Sequence, residues 1–237
     1  MALTPAQRWR KKIAAQQALR EKTALDDSPA NRSVAVSDLA LDIQQLREIE
    51  KVEDRIAHKV SFLLPKWLPQ VEKYIADGMV YPFPALVYCM VWSFDAGDFE
   101  RALDYAEISV EQGQHMPENF NTSPGAFIAL SFRDWIEMEY GRGNSVEPYF
   151  SRAFSLITEV WEVNEELQAI WFVLAARLVL RGGDGKQTTP AQLSNIDQLE
   201  HAKIFLLGAE AVYPIKSGAK TLLNKIDARL RMLTRNK

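Results

Sequence analysis

Apolar residues recur along most of the chain at the three- and four-residue steps of amphipathic α-helices. Strand-like alternation of apolar and polar residues between turn dipeptides is nearly absent. The predicted fold class is therefore all-α, built from helical hairpins. Helices are expected over about 4–22, 36–60, 69–76, 85–113 with a break at 95–98, 126–140, 146–160, 164–181, 191–212 and 217–234. Asp98 has the residue type and position of an N-cap for the second half of the 85–113 hairpin.

The most regular pattern lies between residues 36 and 60. Its apolar residues follow one another at a mean step of about 3.4, close to the 3.5-residue period of a coiled-coil seam. This predicts one long amphipathic helix, which packs either on its own body or also against neighbouring subunits. The oligomerisation seam is assigned to Val36, Leu39, Ile43, Leu46, Ile49, Val52 and Ile56.

Turn residues divide the chain. Pro65 and Pro69 predict a turn before the next helix, and polar linkers are expected at 26–33 and 181–190. The predicted parts are a basic N-terminal arm with its linker (1–33), a helical core and oligomerisation domain (34–181), and a C-terminal helical hairpin with a basic tail (182–237). Small residues that follow two Gly-Asp pairs favour a partly tetratricopeptide-like arrangement.

Charge is distributed unevenly along the 237 residues, whose net charge is −3. Residues 1–22 carry six basic side chains against one acidic, and residues 216–237 carry seven against one, whereas the remainder carries 15 against 29. Basic ends on an acidic body are typical of nucleic-acid contact, although solvated helical ends would also look this way. The candidate DNA-binding residues are Arg8, Trp9, Arg10, Lys11, Lys12, Arg20 and Lys22. Trp9 could stack on a base or anchor the arm to the body.

Few residues offer catalytic chemistry. A single cysteine and three histidines argue against a disulfide framework and a multi-thiolate metal site, so neither a metal nor a cofactor is expected. The glycine-rich loop at 182–188 lacks the first glycine and the Ser or Thr of a phosphate loop. An acidic group could hold Mg²⁺ for phosphodiester cleavage, but the same residues suit a helix start and a solvated face. Its members are Asp95, Asp98, Glu100 and Asp104.

Nothing in the chain predicts a membrane association. The most apolar stretches, at 84–92 and 170–180, are much shorter than the roughly 20 residues that a membrane-spanning helix needs. The first 12 residues are charged and lack the apolar segment of a signal peptide. A cytoplasmic protein is therefore expected.

Several stretches, in this order, resemble one family. They are Thr4-Pro5-Ala6-Gln7-Arg8, Leu64-Pro65-x-Trp67-Leu68-Pro69, Trp92-x-x-Asp95-x-Gly97-Asp98 with Ala102-Leu103, Gly113 with Met116-Pro117, and Leu180-Arg181-x-Gly183-Asp184. Together they resemble the small terminase subunit of temperate tailed phages that package cohesive-ended DNA, also called the terminase endonuclease subunit. The likeness covers roughly residues 3–125 most clearly.

The resemblance implies a DNA-packaging role. Members of this family recognise double-stranded viral DNA, assemble as homo-oligomeric rings and load the large terminase subunit, which usually carries the motor and the nuclease. The resemblance also implies that the protein acts in the host cytoplasm. Residues 217–237 would then contact either the large subunit or DNA. Two alternatives remain: a helical-repeat interaction scaffold without a DNA role, and an autonomous endonuclease, the one case that would require Mg²⁺.

Overall fold

The computed structural model describes residues 29–118, 120–182 and 188–235, with side chains from residue 36 onward. Helices dominate these residues and no strand occurs among them, which confirms the all-α prediction. Within the same residues, no helix is both long and apolar enough to span a bilayer. The chain forms two compact units, Met1–Pro124 and Gly125–Lys237. The tetratricopeptide-like arrangement and the three-part division stay predictions.

The first unit is built from five α-helices in its described part. α1 (Pro29–Glu48) is followed by α2 (Val52–His58), a π-helical turn (Lys59–Leu63) and α3 (Leu64–Asp77). α4 (Pro84–Asp95) and α5 (Phe99–Glu111) form the predicted hairpin, and the Asp98 carboxylate accepts a hydrogen bond from the Arg101 amide at 3.3 Å, as an N-cap does. Helix α4 is buried from Ala85 through Ser93, so this hairpin supplies much of the core of its unit.

The predicted continuous helix over residues 36–60 is wrong. The chain leaves helical geometry at 49–51, where Lys51 has extended backbone angles (φ −80°, ψ 137°). Apolar spacing could not reveal this break, because α2 resumes the same three- and four-residue steps. Asp42 on α1 is 4% exposed and accepts a hydrogen bond from Trp67 Nε1 at 2.7 Å, which ties α1 to α3.

The predicted turn at residues 64–69 is also wrong, because the chain remains helical through both prolines. Pro65 directly follows the π-helical turn at Lys59–Leu63, and its fixed φ suits the helix although it has no N–H to donate. Pro69 lies within α3, where it also lacks the N–H of a helical hydrogen bond. The helix is retained because its inner face is buried, with Trp67 1% exposed and Val71 0% exposed.

The second unit has its own core. Its helices are α6 (Pro124–Arg142), α7 (Tyr149–Ser155) with a π-helical turn (Leu156–Val160), α8 (Glu165–Val179), α9 (Ile196–Val212) and α10 (Lys220–Arg235). Pro124, the first residue of α6, belongs to the first unit. These helices lie within a few residues of the predicted ones. Gly208 lets α9 pack tightly on α8, since a Cβ there would lie 3.0 Å from the Phe172 ring. Leu199, Leu206 and Ile226 are fully buried in the resulting cluster.

Candidate nucleic-acid interface

The N-terminal arm cannot be placed in the fold. All seven of its candidate DNA-binding residues precede the described part of the chain, so their assignment stays a prediction: Arg8, Trp9, Arg10, Lys11, Lys12, Arg20 and Lys22. The basic C-terminal segment, in contrast, is described as far as Arg235. The geometry of a candidate interface therefore rests on α10 and its neighbours.

Helix α10 is amphipathic and anchored by one apolar face. Leu223, Ile226 and Leu230 recur at steps of three and four and are buried against the core of the second unit. Arg229 strengthens this attachment because its Nε donates a hydrogen bond to the Leu193 carbonyl at 2.7 Å. The opposite face is thereby held outward on a rigid helix.

The outward face of α10 is positively charged. Its exposed cations are Lys220, Lys225, Arg231 and Arg235, and none forms an ion pair with a carboxylate that the structure describes. Asp227 is the single acidic residue of the helix, and it pairs with Lys203 of α9 at 2.8 Å. The hydrogen bond from Lys203 to Asp227 raises the pKa of the lysine above its ordinary value.

A cleft of about 510 Å³ lies beside the first turns of α10, within the second unit. Its polar lining comprises Glu137 and Tyr140 of α6, Arg177 of α8, Thr188, and Thr221 and Lys225 of α10. Arg177 and Glu137 approach to 3.7 Å with both side chains about half exposed, so their attraction is strongly screened by water. Cations and hydroxyl groups around one cleft are the side chains that commonly contact phosphate oxygens.

Two of the four acidic candidates have other structural roles. Asp95 pairs with Lys59 at 2.6 Å, and Asp98 combines its N-cap bond with an ion pair to Arg101 at 2.6 Å. Glu100 is exposed and Asp104 half-buried on α5. Across the described ranges, no group of three or more His, Cys, Asp or Glu side chains is arranged to hold a metal ion.

Burial raises the pKa of the Cys89 thiol to about 12, so this thiol is protonated at neutral pH.

The role of Asp98 can be tested by two substitutions. We expect Asp98→Ala to lower the free energy of unfolding by about 1 kcal/mol, because the N-cap acceptor of α5 is lost. Asp98→Asn retains a capping oxygen and should stay within a few tenths of a kcal/mol of the wild type. Urea denaturation measures both. A nuclease carboxylate would behave differently, since Asp98→Asn would then abolish DNA nicking by the purified subunit while leaving its stability intact.

The predicted oligomerisation seam does not form one exposed stripe. Leu39 is 4% exposed and packs inside its own unit, whereas Val36 and Val52 are 53% and 56% exposed. The other four residues are partly buried, on α1, α2 and the break between them: Ile43, Leu46, Ile49 and Ile56. Val36 and Val52 therefore remain available for contacts between subunits, and the oligomerisation assignment stays a prediction.

Sequence reasoning missed Asp42, although the sequence contains a signal for it. Asp42 lies three residues after Leu39 and four before Leu46, so it occupies the apolar face of α1. A carboxylate there requires a buried partner, which is Trp67 together with Lys66, whose Nζ lies 2.7 Å from the same oxygen. Which distant residues provide those partners depends on the tertiary fold.

Comparisons with known proteins identify the family. The profile of the phage small terminase subunit matches residues 36–166. The "Probable terminase, endonuclease subunit" of Haemophilus phage HP1 is 35% identical over 206 residues, covering 85% of this chain and 72% of the relative. The "Terminase, endonuclease subunit" of Escherichia phage P2 is 27% identical over 198 residues, covering 83% and 79%. No solved structure matches the chain. The chain therefore belongs to the phage small terminase subunit family.

Proposed function

We propose that this chain is the DNA-recognition subunit of a terminase, which binds double-stranded viral DNA at the cohesive-end packaging site. The observation that carries the proposal is the coincidence of family membership with two strongly basic ends on an acidic body. Lysine and arginine side chains at those ends can neutralise backbone phosphates and release condensed counterions. An acidic body disfavours non-specific contacts elsewhere on the surface, because it repels the same phosphates.

The N-terminal arm supplies the first contact in this proposal. Its six cations bind phosphates, and Trp9 lies between two of them, where it can stack on a base or anchor the arm. The arm alone would bind weakly and with little sequence preference. Bending of the DNA around an assembly would add sequence dependence without direct reading of bases.

Assembly of several copies, as a ring, strengthens this binding. Each subunit presents one arm, so the second and later arms bind at a high effective concentration and affinity rises without new contacts. We expect light scattering after chromatography to give a stable mass several times 26.9 kDa at both low and high salt. A mass of 26.9 kDa under both conditions would contradict a preformed ring and favour the scaffold alternative.

The chain also recruits the large terminase subunit in this proposal, and DNA cleavage belongs to the resulting holoenzyme in the host cytoplasm. The two relatives are named endonuclease subunits, which fits participation in a cleaving complex. The ion pairs and the N-cap bond of Asp95 and Asp98 support a division of labour in which the large subunit provides the metal-binding carboxylates. Mg²⁺-dependent nicking by the purified small subunit would instead support the autonomous endonuclease.

A further inference from the structure

We propose that the exposed cations of α10 and the adjoining cleft form a second DNA-binding surface, which holds backbone phosphates of the duplex. This inference rests on the proposed function, because it requires that the chain binds DNA at all. It goes further because it places a second DNA contact on helix α10 of the second unit, separate from the N-terminal arm. The two contacts can therefore be removed separately.

The charges on α10 suit a duplex backbone. Along the helix axis, Lys220, Lys225 and Arg231 are about 8 and 9 Å apart, given a rise of 1.5 Å per residue. At about 100° per residue, Lys225 lies roughly 140° around the helix from Lys220, on the side of the cleft. The Asp227 carboxylate is paired with Lys203, and Asp227 and Glu200 of α9 are the carboxylates that line the pocket beside Arg231. A preformed helix loses little backbone freedom when it binds an array of phosphates, so the ordering cost is confined to its long side chains.

The cleft adds a pocket for one phosphate beside this face. Lys225 belongs to both features, while Arg177 approaches from α8 and the Thr221 hydroxyl from α10. The loose, solvent-screened pair between Arg177 and Glu137 leaves the guanidinium able to turn toward a phosphate, with which it can form two parallel hydrogen bonds. Charge-assisted bonds of this kind are stronger than a single exposed ion pair at 3.7 Å.

The composition of the surface favours DNA over a protein partner such as the large subunit. The centre of a protein–protein interface is usually depleted of charged residues and enriched in apolar ones. On the described turns of α10, Met232 is the one large apolar side chain that is highly exposed, at 58%, and it is surrounded by cations. Interfaces with nucleic acid are in contrast strongly positive and polar.

The test compares two full-length triple variants that lose the same charge. Lys225→Gln, Arg231→Gln and Arg235→Gln remove unpaired cations of α10. Arg101→Gln, Arg133→Gln and Arg142→Gln remove cations away from α10 that each have a carboxylate partner. The affinity for a duplex of about 30 base pairs is measured by fluorescence anisotropy between 50 and 300 mM salt, and circular dichroism checks that both variants fold.

We expect the α10 variant to lower the slope of log K against log[salt] by about 0.9 for each cation that contacts a phosphate, whereas the control leaves it nearly unchanged. Arg177→Gln with Thr221→Val should weaken binding several-fold further by removing the cleft contact. An unchanged slope in the α10 variant, with wild-type binding intact, would overturn the second surface and leave the proposed function standing. Loss of large-subunit binding with unchanged DNA binding would overturn it in favour of a protein interface. No DNA binding by the wild type would overturn both proposals.

Discussion

Trp67→Ala is expected to lower the free energy of unfolding by about 3–5 kcal/mol, as other large-to-small substitutions of buried aromatic residues do. Trp67 is 1% exposed, so truncation leaves a cavity in the core of the first unit. It also removes the Nε1 donor from Asp42, a carboxylate that is 4% exposed, accepts a hydrogen bond from Trp67 and forms an ion pair with Lys66. Urea denaturation followed by circular dichroism measures the loss.

A second variant separates the cavity from the hydrogen bond. Trp67→Phe keeps an aromatic ring in the core but cannot donate to Asp42, and we expect a smaller loss of about 1.5–3 kcal/mol, the usual value for a hydrogen bond to a charged group. If Trp67→Ala costs less than about 1 kcal/mol, the side chain is not part of a packed core. The attachment of α1 to α3 would then need another explanation.

Reversing four cations of the arm is expected to weaken DNA binding by at least about a hundredfold near 0.1 M salt, because each phosphate contact contributes roughly 0.9 to the salt dependence of log K. The variant carries Arg8→Glu, Arg10→Glu, Lys11→Glu and Lys12→Glu. The slope of log K against log[salt] should flatten by up to about 3.6 if all four contact phosphates. Fluorescence anisotropy with the same duplex measures both quantities.

The control for the arm reverses two paired cations elsewhere and is matched with the double variant Arg8→Glu, Arg10→Glu. Arg133→Glu and Arg142→Glu change the net charge in the same direction, but each of these arginines already has a carboxylate partner on α6. We expect this control to weaken binding only slightly and to preserve the slope. If the arm variant keeps the wild-type slope, the arm does not contact phosphates, and the assignment of its basic residues to DNA binding is wrong.

Local signals predicted most of the helices. The hairpin of α4 and α5 follows from an apolar run, a glycine with φ 77° at position 97, and the Asp98 cap, all of which act within a few residues. The break at 49–51 and the helix that continues through Pro69 were missed. The break leaves the apolar spacing unchanged on both sides. The helix through Pro69 depends on the burial of Trp67 and Val71, and no local pattern specifies which distant residue, such as Asp42, will pack there.

The candidate interface was predictable only in part. Counting charges along the chain was enough to identify both basic ends, and the apolar spacing of Leu223, Ile226 and Leu230 indicated the buried face of α10. The sequence could not show which cations remain unpaired. Lys203 forms an ion pair with Asp227, and Arg229 donates a hydrogen bond to the Leu193 carbonyl. Each partner is more than 20 positions away in the sequence, so only the fold brings the groups together.

DNA binding by the wild-type chain tests the central proposal most directly. The protein is titrated at about 0.15 M salt onto a duplex that contains the cohesive-end site of its own phage genome, and onto a shuffled duplex of equal length and composition. Specific protein–DNA complexes are typically at least about a thousandfold tighter than non-specific ones, and we predict a preference of that order. Equal affinity for the two duplexes, or no binding to either, would contradict a subunit that recognises the packaging site.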